Sequence, residues 1–298
     1  MRFDARAREW VEHALGAGHR VLATERRRGG VSSVVHRVRV IDRDGHEHAY
    51  MLRRVPFRAD VPNHDPAAEV LNESYALLTV GGGPIPELVA VDPAGEACGV
   101  AALLSTWLPG RPELRPRDPG AWIRQIAAGL DAIPTIPAGR LKFGRFVPWF
   151  DPDRAPPEWS RVPAAWTAVR ARLDLALPCG GEPRFIHRDF HPGNLLLHRG
   201  RFSGIVDWTQ ASVGPPEVDV SRTRVEIAML SDRAIADEFV QHTECAATYD
   251  PLWDALVACE LGPWSHDMLA FNDLGARLTL EGVRATLDAF VEDAARHL

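Results

Sequence analysis

Cysteine is scarce in this 298-residue chain, and Cys98, Cys179, Cys245 and Cys259 are scattered without a C-x-x-C pair. That spacing argues against a disulfide scaffold or a zinc site and suits a reduced, cytoplasmic protein. No apolar run approaches the ~18 residues of a membrane span, and the opening MRFDARAREW lacks the apolar stretch of a signal peptide. No membrane partner is therefore expected. An excess of positive charge is also missing. The formal net charge is −6, whereas nucleic-acid backbones call for a concentrated basic face, so no nucleic-acid partner is expected. The sequence gives no sign of oligomeric state.

What is present suits one large or two modest domains. At 46% hydrophobic and 25% charged, the chain can bury a core without disulfides or metal. Charge is unevenly spread. Residues 1–60 hold 13 Arg against 8 Asp plus Glu, and residues 211–298 hold 6 Arg against 16. One end could handle an anion and the other a cation, or both could be ordinary solvated surfaces.

The first hundred residues read as strand-rich. Val34 to Ile41 is rich in β-branched residues, Asp44-Gly45 gives a hairpin turn, and His48 to Leu52 supplies the return strand. Asp65-Pro66 offers an N-cap and a first-turn proline, with Leu71, Tyr75 and Leu78 following at near-helical spacing before Gly81-Gly82-Gly83-Pro84. Ala101 to Leu104 is a short buried-strand candidate. Asp118-Pro119 opens a helix with Trp122, Ile126, Leu130 and Ile133 on one stripe. Residues 134–163 read as an irregular insertion, and helices are predicted near 164–176, 218–230, 232–246, 251–262 and 277–296. The expectation is an α+β fold, with a small antiparallel-sheet N-lobe at 1–105 and a larger helical C-lobe at 106–298.

The chemistry lies in Phe185-Ile186-His187-Arg188-Asp189-Phe190-His191-Pro192-Gly193-Asn194 and in Gly204-Ile205-Val206-Asp207-Trp208. H-R-D-x-x-x-x-N followed by an aspartate at the end of an apolar run is the catalytic-loop pattern of kinases. Phosphoryl transfer needs a group to orient and deprotonate the acceptor hydroxyl, a role for Asp189. It also needs metal to neutralise phosphate charge, and Asn194 and Asp207 are hard oxygen ligands suited to Mg2+. A hairpin centred between Gly200 and Arg201 would set Asn194 opposite Asp207, about 5 Å apart at Cβ; a one-residue slip breaks that pairing. Two other readings stay open. His187, Asp189 and His191 alternate and could line one face of a strand as a transition-metal site, or the segment is a surface loop.

These residues resemble the aminoglycoside phosphotransferase family of kinase-like enzymes. That family carries H-G/R-D-x-H-x-G-N and an I-D-W segment where protein kinases have D-F-G. Gly214-Pro215-Pro216-Glu217-Val218-Asp219 resembles its G-x-P-x-x-D segment, which implies that Asp219 braces the catalytic loop. The resemblance implies a bilobal protein-kinase-like fold. It also implies a loop over the nucleotide phosphates at Gly30, Ser32 and Ser33, without G-x-G-x-x-G. Arg53 stands where the family places a phosphate-binding lysine, with Arg54 as the alternative, and Glu73 would hold that cation. Ser105-Thr106-Trp107 would be the hinge that meets the nucleobase.

The reading is a small-molecule kinase that uses Mg2+ and ATP or GTP to phosphorylate a hydroxyl. The acidic residues Glu226, Asp232, Asp237, Glu238, Asp267 and Asp273 are candidates for receiving a cationic acceptor such as an aminoglycoside. Macrolides or other antibiotics, hydroxylated peptides, choline-like alcohols, sugars and homoserine remain open, as does a nucleotide-binding pseudokinase scaffold.

Overall fold

The computed structural model describes residues 1–27, 33–59, 64–178 and 180–298. The chain divides into two compact units. The first is Met1–Gly110 with Ser203–Ala211, and the second is Arg111–Phe202 with Ser212–Leu298.

The first unit comprises α1 (Ala5–Leu15), β1 (Arg20–Arg26), β2 (Val34–Ile41), β3 (Glu47–Val55), α2 (Pro66–Val80), β4 (Leu88–Asp92) and β5 (Ala101–Thr106). The strands form an antiparallel sheet in the order β1-β2-β3-β5-β4. Its core joins Ala7, Trp10 and Val11 of α1 to Val38, Val40, Leu52, Ala102 and Leu104 of the sheet. Asp65 caps α2 as the Asp-Pro pair predicts, accepting from the Ala67 and Ala68 amides. The buried face of α2 differs from the apolar stripe. Tyr75 and Leu78 are 57% and 65% exposed, while Val70, Glu73, Ser74 and Leu77 are buried. The helix turns inward the face that carries an acid.

Ser203–Ala211 folds with this unit although it lies far along the chain. The Ile205 amide donates to the Pro84 carbonyl, and Asn72 Nδ2 donates to the carbonyls of Thr209 and Ala211. The Trp208 ring is wholly buried. These contacts fix where Asp207 stands.

The second unit is mostly helical. It holds α3 (Pro119–Asp131), α4 (Pro163–Leu175), β6 (Arg184–Ile186), β7 (Leu195–His198) and the start of β8 (Arg201–Ile205), followed by β9 (Ser212–Gly214). Then come α5 (Glu217–Leu230), α6 (Arg233–Gln241), α7 (Leu252–Leu261) and α8 (Leu280–Ala295). Every residue of α7 is buried, so this helix is central, packed by Trp166, Leu173, Leu287 and Phe290. Two short strands frame the catalytic-loop sequence: β6 leads into it, paired with β9, and β7 leads out.

The β7–β8 turn corrects one expectation. Arg199 and Gly200 both take positive φ, 52° and 75°, the mark of a two-residue type I′ hairpin turn. Its centre falls one residue earlier than the sequence arithmetic assumed, and Asp207 lies beyond the end of β8. The pairing that set Asn194 opposite Asp207 therefore does not hold.

Candidate active site

In the first unit, the period-two alternation of β3 sends its two arginines to opposite faces. Arg54 turns to Asp4 and the Arg2 carbonyl. Arg53 is buried and faces two acids. Its Nη1 lies 2.7 Å from Asp207 Oδ1 and 3.4 Å from Glu73 Oε2. Burial alone would lower the arginine pKa, but Asp207 and Glu73 overcome it and push the value above the ordinary one. Burial drives Glu73 upward against the pull of Arg53. Lysine cannot fill this place, because the one lysine of the sequence, Lys142, is exposed in the second unit.

Asp207 takes the left-handed conformation, φ 66° and ψ 61°, where non-glycine residues are uncommon and aspartate is among the tolerated ones. Thr209 Oγ1 donates to the same Oδ1 that Arg53 engages. The carboxylate is held in place yet one-third exposed.

Ser33 is buried just before β2, and its hydroxyl has no hydrogen-bond partner among the described residues. Gly30 and Ser32 lie outside the described residues. At the expected hinge, Ser105 is buried beside Met51 in the sheet. The Thr106 and Trp107 amides donate to the Glu87 and Ala49 carbonyls. The Trp107 ring carries the Arg27 and Arg37 guanidinium groups, 5.4 and 5.2 Å from its centroid.

In the second unit the chain leaves β6 at Ile186 and turns at once, with Arg188 at φ 73°. That turn ends the strand reading of His187, Asp189 and His191. Among the described residues no group of three or more His, Cys, Asp or Glu gathers to hold a metal. The strained backbone is bonded to Asp219, whose carboxylate accepts from the His187 and Arg188 amides at 2.8 and 2.7 Å. Burial raises Asp219 to about 7 against those two donors. The Arg188 side chain pairs with buried Glu260 at 2.9 Å and stacks 3.7 Å from the Trp149 centroid. The irregular 134–163 stretch is thereby joined to the loop, and Trp149 also donates its amide to Glu260.

Asp189 is partly exposed. Arg222 Nη2 lies 3.3 Å from its Oδ1, and His191 Nε2 lies 3.7 Å from its Oδ2. Burial would raise its pKa, but Arg222 and then His191 outweigh that and hold it well below the usual carboxylate range. Asn194 is buried, and its Nδ2 donates to the Asp189 carbonyl at 3.0 Å. With the nitrogen so fixed, the amide oxygen accepts no hydrogen bond among the described residues. A hard, neutral oxygen of this kind fits Mg2+, as does the part-exposed Asp207 carboxylate in its own unit.

Most of the acidic side chains expected to receive a cation are otherwise engaged. Glu226 is fully buried against His191 and Arg222. Asp232 caps α6, Asp237 meets Arg224 and Arg233, Glu238 lies 3.9 Å from His242, and Asp267 lies 3.0 Å from His266. Glu226 and Asp237 thus neutralise the chain's own arginines. Arg222 was not singled out in the sequence; its signal was the Arg222–Glu226 pair at i and i+4.

The model of the phosphotransferase enzyme family, APH, matches residues 24–259. The chain belongs to that family. Solved structures share its fold. A Ralstonia eutropha JMP134 protein with a provisional aminoglycoside phosphotransferase assignment superposes with a TM-score of 0.65 at 17% identity, covering 99% of each chain. A thermostable mutant of aminoglycoside phosphotransferase APH(4)-Ia, in complex with AMP-PNP and hygromycin B, gives 0.64 at 18% identity over 98% of this chain and 99% of that one. A Thermobifida fusca YX-ER1 protein provisionally assigned as a fructosamine-3-kinase gives 0.51 at 19%, over 94% and 95%. The fold is therefore that of kinase-like phosphotransferases. No protein with a curated description matches the chain by sequence. No described helix is long and apolar enough to cross a membrane.

Proposed function

We propose that the chain transfers the terminal phosphoryl group of ATP or GTP to a hydroxyl of a small molecule. The observation that carries this reading is the catalytic loop. Asp189 is kept ionised, and its own carbonyl anchors the Asn194 amide so that a bare oxygen remains. Asp189 accepts the acceptor hydroxyl's hydrogen bond and orients its oxygen. A carboxylate so acidic is a poor base early in the reaction; it takes the proton late, once bonding to phosphorus has acidified the hydroxyl. Arg53, steadied by Glu73, offers its guanidinium to phosphate oxygens, and the Ser33 hydroxyl is a further donor. Asn194 and Asp207 are the residues that would hold Mg2+, which supplies neutralisation of phosphate charge when bound.

For the acceptor, the aminoglycoside of the APH(4)-Ia complex sets one possibility. The engagement of Glu226, Asp232 and Asp237 with other parts of the chain favours a less cationic one. A sugar or amino-sugar alcohol is the class preferred here, in keeping with the Thermobifida neighbour's assignment. The intact Asp189, Asn194 and Asp207 oppose a pseudokinase scaffold. A screen of aminoglycosides, sugars, fructosamines and choline with an ADP readout tests the acceptor. Turnover with a sugar-type alcohol is expected, and turnover confined to polycationic aminocyclitols would contradict the preference. Asp189→Ala should lower turnover by orders of magnitude while nucleotide binding survives.

A further inference from the structure

Helix α5 places Asp219, Arg222, Thr223 and Glu226 at i, i+3, i+4 and i+7, one stripe of a helix. All four meet the segment His187–His191. Asp219 and Thr223 bind backbone: the Thr223 hydroxyl donates to the Phe190 carbonyl at 2.9 Å. Arg222 and Glu226 instead bind side chains, and with Asp189 and His191 they close a ring. Arg222 Nη2 lies 3.3 Å from Asp189 Oδ1, and its Nε lies 2.8 Å from Glu226 Oε1. Glu226 Oε2 lies 3.1 Å from His191 Nδ1, and His191 Nε2 lies 3.7 Å from Asp189 Oδ2.

We propose that Arg222 and Glu226 are positioning residues for Asp189: Arg222 pairs with one carboxylate oxygen directly, and Glu226 sets the ring of His191 beside the other. The proposal rests on the phosphotransferase reading above. With Arg222 paired to one oxygen and the His191 ring beside the other, rotation of the carboxylate about its last torsion is restrained, and the acceptor hydroxyl meets an oxygen of fixed direction. The Gly193 amide donates to His191 Nδ1 at 3.0 Å, which fixes the plane of the ring. Gly193 makes room for the ring, since a Cβ there would lie 2.7 Å from His191 Cε1. Replacing a buried ion network by apolar groups of like volume is often neutral or stabilising, so removing Arg222 and Glu226 together need not unfold the chain.

The test is ATP hydrolysis, with water as acceptor, by the full chain and its variants Asp189→Asn, Arg222→Met, Glu226→Gln and the double Arg222→Met/Glu226→Gln. The double variant leaves no charge of this pair unbalanced. It is expected to melt close to the wild type yet to lose roughly ten- to a hundredfold in kcat, the cost of misplacing a reacting group by a fraction of an ångström. KM for ATP should stay within about twofold. Guanidinium ion should restore part of the kcat of Arg222→Gly. A double variant that folds and hydrolyses ATP at the wild-type rate overturns the proposal, provided Asp189→Asn is inactive. If the double variant fails to fold, absence of guanidinium rescue overturns it. Full activity in Asp189→Asn would instead remove the phosphotransferase reading itself.

Discussion

Arg53 shows how much one residue decides. Buried Glu73 of α2 and part-exposed Asp207 share one buried cation on β3, so the guanidinium is the charge that makes Glu73 tolerable there. Arg53→Met leaves Glu73 buried without its partner, which by comparison with other broken buried pairs costs about 3–5 kcal/mol. A melting temperature roughly 6–12 °C or more below the wild type is expected by calorimetry. An unchanged midpoint would mean that the pair does not form. None of this was legible in the sequence beyond the position of Arg53 and Glu73. The third partner, Asp207, is 154 residues away, and only the packing of Asn72 and Pro84 on residues 203–211 brings it there.

At the scale of elements, buried helix α7 carries Asp254, which meets Arg224 of α5 and accepts from the Tyr249 hydroxyl at 2.6 Å. Burial raises its pKa from 3.8 to about 6, with Arg224 and Tyr249 opposing the rise. Between those values the folded chain holds a proton that the unfolded chain has released. The stabilising contribution is thus fully present below about pH 3.8 and is lost as pH rises from there through about 6. Wild type should lose roughly 2 kcal/mol of stability relative to Asp254→Asn between pH 4 and 7, measured by urea unfolding. Equal pH slopes would contradict the burial account. Elements with strong local signals were readable: the Asp-Pro caps of α2 and α3, the Asp-Gly turn between β2 and β3, and the helices from α4 onward. Helix α1 and strands β1, β4, β6 and β9 were not. Strands of three residues such as β6 and β9 carry too few positions for a pattern, and β4 has a register shift between Leu88 and Ala90. Acidity on α5 and α6 read as a solvated or ligand-facing surface because sequence records charge without partners. Folding brings Arg222, Arg224 and Arg233 to those acids.

At the scale of the whole molecule, the family match over residues 24–259 draws on both units, and the central claim is that Asp189, Asn194 and Asp207 serve one metal-nucleotide reaction. Mn2+ as a paramagnetic substitute for Mg2+ tests this without an acceptor. Electron paramagnetic resonance with ATP should detect tightly bound Mn2+ in the wild type and in Asp189→Ala. Asn194→Ala and Asp207→Ala should each weaken it at least about tenfold, the scale of losing one charged or polar contact worth 1.5–3 kcal/mol. Nucleotide-dependent Mn2+ binding that is unchanged in both of the latter variants would contradict the account.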